Sequence, residues 1–215
     1  MPTNSIYLLS PTPRDGTISL PMIRFKQVAE SIDFSSCDTL MFSSKQAVIS
    51  ANTIDIGWRE YPVISIGSAT KAMVEKLGGT VLYHPKEFYA DTLAEDIKEK
   101  FSDRKILYLR PKEVSFDSRG YLAKHGITLQ EQILYETSCV EYTSADTPNR
   151  GAIIIFTSPS SIHCFFKNFE WDSSYRAIII GRATKEHLPD AIEFYISAVP
   201  LIDSCIDKAI EIQSY

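Results

Sequence analysis

The sequence predicts an α/β fold of doubly wound sheets, built from one unit used twice. Short apolar runs alternate with helical patterns, the order expected of strands that feed crossover helices. Most of those runs are apolar throughout, as parallel strands covered on both faces require. Two motifs also recur at one spacing. "TLMFSSKQAVIS" and "IIIFTSPSSIHCFF" share a strand, a serine-rich tip and an apolar-periodic run, with Phe42 and Phe156 114 residues apart. "VISIGSATKAMVEKL" and "AIIIGRATKEHL" repeat the relation, with Gly67 and Gly181 again 114 apart.

Strands are expected at residues 6–9, 39–42, 63–66, 106–109, 153–156 and 177–180, each a run bounded by turn residues. "ATKAMVEKLGG" reads as a helix with Ala69, Met73 and Leu77 on one face and Gly78-Gly79 as its C-cap. "ADTLAEDIKEKF" starts from Asp91 as N-cap, with Leu93, Ile97 and Phe101 on one face. "SFDSRGYLAKHG" is a helix interrupted by Gly120 and ended by Gly126. Two stretches differ. "PMIRFKQV" (21–28) and "LQEQILYETS" (129–138) alternate polar and apolar residues, which suits a half-exposed antiparallel pair. They bracket the first repeat. The simplest arrangement makes them linker strands between lobe 1 (1–20 plus 139–215) and lobe 2 (29–128).

The 215 residues are 44% hydrophobic and 23% charged, enough for two cores of about 100 residues each. A net charge of −5 argues against a general binder of nucleic acid or anionic membrane. No apolar run approaches the roughly 20 residues of a membrane span, and "MPTNSIYLLSP" has no signal-peptide pattern. Cys37, Cys139, Cys164 and Cys205 are far apart and read as reduced, buried thiols of a cytoplasmic protein. His84, His125, His163 and His187 show no metal-ligand spacing, and His163 reads as a packing residue. No metal is expected.

Serines at the strand tips have a plain role. Ser44 and Ser158 cap helices, and Pro159 suits the first helical position. A ligand role is additional. Ligands of open α/β sheets bind at the carboxyl ends of strands, where helix N–H groups favour anions. There is neither a G-x-x-x-x-G-K-[ST] nor a G-x-G-x-x-G pattern, so nucleotide binding is not supported and carboxylates are the alternative. Cationic candidates at or near the tips are Lys45, Lys71, Arg110, Lys112, Arg182 and Lys185.

In order along the chain, "LMFSSKQAV", "ISIGSATKAMVEKLG", "ILYLRPK", "ILYETS", "IIFTSPSSI" and "IIIGRATKEHL" resemble the uroporphyrinogen-III synthase family, covering most of the chain from about residue 36 onward. The resemblance implies two flavodoxin-like parallel-sheet lobes, a two-stranded antiparallel linker and a site in the cleft between lobes. It implies that hydroxymethylbilane loses water and closes to uroporphyrinogen III with its last ring inverted, through a spirocyclic pyrrolenine. No cofactor is implied. The substrate's eight carboxylates suit anion-binding rims. A cytoplasmic monomer is expected, with neither nucleic acid nor membrane as partner.

Carried over residue by residue, the resemblance places substrate binding at Ser44 with Ser43 beside it, at Thr70, at Ser158 and at Thr184; Lys45, Gly67, Pro159, Ser160 and Gly181, at the same tips, are further substrate-binding candidates. Arg110 joins them as the cation at a strand tip. Tyr135, in "LYET", falls on the family's linker-strand tyrosine and is the candidate acid for loss of the hydroxyl; packing against the hinge is its other reading. Two departures stand out. The first tip reads Ser-Ser-Lys where the family has Thr-Ser-Pro. "SPTPRDGTISL" (10–20) is too short and too rich in proline and glycine for the helix that usually follows the first strand, so lobe 1 is expected to lack it. Two other functions fit parts of the pattern: a non-catalytic two-lobed binding or sensing protein, and a nucleotide-using α/β enzyme.

Overall fold

A computed structural model gives the fold and describes residues 4–85 and 90–213. The strands, in chain order, are β1 (Ile6–Leu8), β2 (Ile18–Ser19), β3 (Ile23–Gln27), β4 (Thr39–Phe42), β5 (Pro62–Ser65), β6 (Thr80–Tyr83), β7 (Ile106–Pro111), β8 (Leu129–Cys139), β9 (Ile153–Phe156), β10 (Arg176–Ile179) and β11 (Phe194–Ile196). The helices are α1 (Lys45–Ile54), α2 (Ser68–Lys76), α3 (Ala90–Lys100), α4 (Ser118–Ala123), α5 (Pro159–Asn168), α6 (Arg182–Lys185) and α7 (Ile202–Gln213). The chain forms two compact units, residues 1–24 with 138–215 and residues 25–137. Among the described residues no helix is long and apolar enough to cross a membrane.

The first unit holds the sheet β11-β10-β9-β1-β2, in which each neighbouring pair of strands is parallel. Its central strands are buried along their whole length, because both faces are covered. Ile6, Leu8, Ile153, Ile155 and Ile178 pack with Cys205, Ala209 and Ile212 of α7. Tyr7, Leu9, Ile154 and Phe156 pack on the other face with Ile162 and Phe165 of α5. Residues 9–17 contain no helix, as their composition predicts.

The second unit holds the sheet β3-β8-β7-β4-β5-β6. Strand alternation divides its side chains into two cores. Leu40, Phe42, Val63, Leu107 and Leu109 pack with α1, α2 and the fully buried Trp58. Met41, Ile64, Ile106 and Tyr108 pack with Leu93 and Ile97 of α3 and Leu122 of α4.

β8, expected as one strand of a half-exposed antiparallel pair, is also paired on its other side. It runs parallel to β7, from Ile106↔Leu129 to Pro111↔Tyr135. At the sheet edge Val28 N–H bonds the Leu134 carbonyl at 2.9 Å and Val140 N–H bonds the Met22 carbonyl at 2.9 Å. Residue numbers rise on β3 as they fall on β8, so these two are antiparallel.

The caps follow the sequence. Ser44 Oγ accepts from Ala47 N–H at 3.1 Å, opening α1. Ser158 Oγ accepts from Ser161 N–H at 3.1 Å, Ser161 Oγ accepts from Ser158 N–H at 3.1 Å, and Pro159 fills the first turn of α5. This reciprocal cap satisfies two donors at once. Ser158→Ala is expected to destabilise the protein by about 1 kcal/mol, read as a shift in the denaturant midpoint at unchanged slope; an unmoved midpoint counts against the cap. Gly120, read as an interruption, is required by a cap: its N–H bonds Asp117 Oδ1 at 2.8 Å. A Cβ there would meet Asp117 Oδ2 at 2.1 Å.

Several expectations are corrected. Cys139 and Cys164 are not reduced thiols: they form a disulfide between the end of β8 and α5, with Cα atoms 5.3 Å apart. Folding alone brings these distant positions together. Cys37 and Cys205 are free. His163 is exposed, because α5 turns Ser161, Ile162, Cys164 and Phe165 inward instead. Asp91 is not a cap; α3 already includes Ala90, and the Asp91 carboxylate accepts from Thr92 N–H at 2.8 Å. α2 buries Thr70 and Val74, and Ala69 is exposed. Strands β2, β6 and β11 were missed. They are the outer strands of their sheets, short and partly exposed, so they lack a continuous apolar run.

Candidate active site

The repeat is structural as well as sequential. Ile66 N–H bonds the Phe42 carbonyl at 2.9 Å, and Ile180 N–H bonds the Phe156 carbonyl at 3.1 Å, so in each unit two neighbouring strand tips are tied by the same hydrogen bond. The carboxyl ends of the parallel strands therefore present their loops together, where open α/β sheets take their ligands.

In the second unit the tip after β4 carries Ser43 and Ser44. Alternation sends their side chains to different tyrosines. Tyr108 lies opposite Met41 in the β4–β7 register and belongs to the core of Met41. Its hydroxyl donates to Ser43 Oγ at 2.6 Å. Tyr135 belongs to the core of Phe42. Its hydroxyl and Ser44 Oγ share a hydrogen bond of 2.9 Å. The Tyr135 ring stands edge-on to Phe25, with centroids 5.4 Å apart, and the residue is only 4% exposed. Burial pushes the Tyr135 phenol above its ordinary pKa, and the bond to Ser44 pulls it partly back. Burial likewise raises Tyr108, opposed by its bond to Ser43 and by nearby Arg110. Both phenols thus stay protonated at neutral pH.

Beside the two serines is a cavity of about 250 Å³ whose lining includes Ser43, Ser44, Ile66, Tyr108, Ser115 and Phe116. Gly67 next to it has φ +77°, a left-handed turn that favours glycine. Thr70, in the first turn of α2, is buried. Lys45 opens α1 and is half-buried.

Arg110 is engaged rather than free. Its Nε is 3.1 Å from Glu131 Oε1, both side chains being mostly buried. Its Nη1 donates to the carbonyls of Pro111 and Lys112, each at 2.9 Å. Lys112 pairs with Glu136 at 3.3 Å and Lys71 with Glu75 at 3.9 Å. Three of the six candidate cations therefore already have carboxylate partners.

The first unit carries the other candidates. Ser158, Pro159 and the exposed Ser160 follow β9. Gly181 follows β10 with φ 179°, extended backbone open to any residue. Thr184 is buried within α6, a helix of four residues where the first repeat has nine. Pro189 restricts its continuation. Within one unit, the fold joins Ser43, Ser44 and Tyr135, and adds Tyr108, which the sequence reading had left as part of an apolar strand. The available signal was a polar-tipped aromatic in the aliphatic run "ILYL".

The family model described as uroporphyrinogen-III synthase HemD matches residues 16–207. Among solved structures, the uroporphyrinogen-III synthetase of Helicobacter pylori matches with a TM-score of 0.81 at 24% identity, covering 97% of this chain and 99% of that one. A mutant uroporphyrinogen III synthase of the extremely thermophilic bacterium Thermus thermophilus matches with a TM-score of 0.59 at 9% identity, over 97% and 99% of the two chains. These two likenesses are of fold. No curated protein sequence matches significantly.

Proposed function

Because this chain belongs to the uroporphyrinogen-III synthase family, an enzyme family of tetrapyrrole biosynthesis, we propose that it acts as a hydro-lyase: it closes hydroxymethylbilane to uroporphyrinogen III with loss of water and inversion of ring D. The observation that carries the assignment of roles is the Tyr135–Ser44 hydrogen bond at the head of α1. Ser44 Oγ accepts from the helix N–H of Ala47. In the proposed arrangement Ser44 donates its own proton to Tyr135 Oη, one of the two directions that their shared hydrogen bond allows. That leaves the phenolic proton free to point at a ligand.

The chemistry uses that proton once. As the pyrrole nitrogen pushes electrons toward the hydroxymethyl carbon, the C–O bond breaks and Tyr135 protonates the departing hydroxyl, releasing water and leaving an azafulvenium cation. Ring D attacks through its substituted α-carbon to give the spirocyclic pyrrolenine, which opens and recloses with the ring inverted. The phenolate recovers a proton when the last pyrrole loses its α-hydrogen. Ser43, Ser44, Lys45, Gly67, Thr70, Ser158, Pro159, Ser160, Gly181 and Thr184 serve as substrate-binding positions: free hydroxyl and backbone N–H groups among them suit carboxylates, while Pro159, which has neither, shapes the first turn of α5. Arg110 serves in the same set by holding the β7–β8 loop through its carbonyl contacts. β3 and β8, where the chain passes between its two units, act as the linker strands. Much of the remaining work is orientation, so that the inverted ring attacks first. The enzyme acts as a cytoplasmic monomer.

The test is isomer analysis of the porphyrin formed from hydroxymethylbilane. The type III isomer is expected with protein and no added metal or cofactor, and type I without protein. Type I product in both arms, or loss of type III on chelation, contradicts the proposal.

A further inference from the structure

Tyr108 makes a second tyrosine–serine pair beside the first, and the proposed mechanism leaves it unused. Its geometry is directional. The Tyr108 hydroxyl donates to Ser43 Oγ at 2.6 Å, so the Ser43 oxygen accepts from the protein and its own O–H remains to donate. Ser43 is half-buried at the lining of the 250 Å³ cavity, and Tyr108, 3% exposed, forms the wall behind it. The lining also includes the apolar Ile66, Val114 and Phe116 and the hydroxyl-bearing Ser44 and Ser115. Glu113 is an exposed residue of the lining. A planar heterocycle with one carboxylate-bearing side chain suits this mixture. Tyr108 is itself fixed by the β4–β7 register and by packing with Met41 and Ile64. The donor it directs is therefore preorganised, which spares the ordering cost of binding.

We propose that Tyr108 is a positioning residue, which turns the Ser43 hydroxyl into a fixed donor for one carboxylate of the substrate in this cavity. The inference rests on the proposed substrate class and deepens it by assigning one carboxylate subsite to Ser43. It does not touch the acid chemistry of Tyr135, which packs in the other core of the same sheet.

The test compares Tyr108→Phe, Ser43→Ala and the double variant in two assays. One is steady-state kinetics on hydroxymethylbilane. The other is equilibrium binding of uroporphyrin, an aromatic octacarboxylate, followed by fluorescence. One hydrogen bond is at stake, so each single variant is expected to raise KM and the uroporphyrin Kd about threefold to tenfold, with kcat within twofold. The double variant should be no worse than either single one, since both remove the same donor. Thermal unfolding of Tyr108→Phe accompanies the assays, and Ser43→Ala leaves the tyrosine packing untouched if the phenylalanine variant folds poorly. Unchanged KM and Kd in Ser43→Ala, or additive losses in the double variant, overturn the inference. A wild-type protein that yields only type I product, yet whose variants lose uroporphyrin binding as described, overturns the synthase reading and leaves the carboxylate subsite standing.

Discussion

Replacing Tyr135 by phenylalanine is expected to lower turnover about 100-fold, with KM nearly unchanged. General acid assistance is typically worth about 10²–10⁴-fold. The low end applies because hydroxymethylbilane also closes spontaneously and its leaving group needs modest help. A 100-fold loss corresponds to about 3 kcal/mol of barrier. The fold should survive. Phenylalanine keeps the ring and its edge-on contact with Phe25, and Ser44 keeps its bond to Ala47 N–H. The stability loss should be that of one hydrogen bond, about 1 kcal/mol. The pH dependence has a definite sign. Burial raises the phenol above its ordinary value, so its acid form persists to higher pH than a free tyrosine's. Wild-type kcat should show no fall due to this group below about pH 10. The same shift makes the folded protein's gain from Tyr135 complete below the unfolded value near 10, and lost as pH rises through the higher folded value. Steady-state kinetics with a pH profile checks both points. Wild-type turnover in Tyr135→Phe would leave the phenol a packing group only.

Reducing the Cys139–Cys164 disulfide is expected to cost about 3 kcal/mol of stability. The bond joins positions 25 residues apart, and in the chain-entropy account closing a loop of that length removes about this much freedom from the unfolded state. It ties the last residue of β8 to a helix of the first unit's core, so the loss should appear in that unit's unfolding. Two measurements check it. Thiol titration of the denatured, unreduced protein should find two of the four cysteines, Cys37 and Cys205. Denaturant unfolding with and without reductant should give separate midpoints. Four titratable thiols, or coincident curves after complete reduction, would contradict the expectation.

Features fixed by neighbouring residues are legible in the sequence, and those fixed by distant partners are not. The caps at Ser44 and Ser158 could be named because capping is decided within four residues; Tyr135 could be singled out from its motif "LYET", but its bond to Ser44, 91 positions away, came only from the fold. The disulfide could not be named, since its two cysteines stand 25 positions apart in the chain. Arg110 was read as an anion-binding cation from its place at a strand tip. Glu131, its partner, lies on a different strand, and only the parallel β7–β8 pairing brings the two together. Tyr108 was passed over for the same reason: its partner Ser43 is 65 positions away.

By itself, the sequence determined the α/β class, the twofold use of one unit, the buried central strands and the serine tips. Each rests on short-range patterning: period-two and period-3.6 burial, turn residues and local caps. The tertiary structure decided everything that depends on register between distant strands. It placed β8 beside β7 within a sheet, split Ser43 and Ser44 between two tyrosines, committed Arg110 to Glu131 and joined Cys139 to Cys164. Those contacts form only when strands far apart in the chain align, and a single sequence carries no local signal for that alignment.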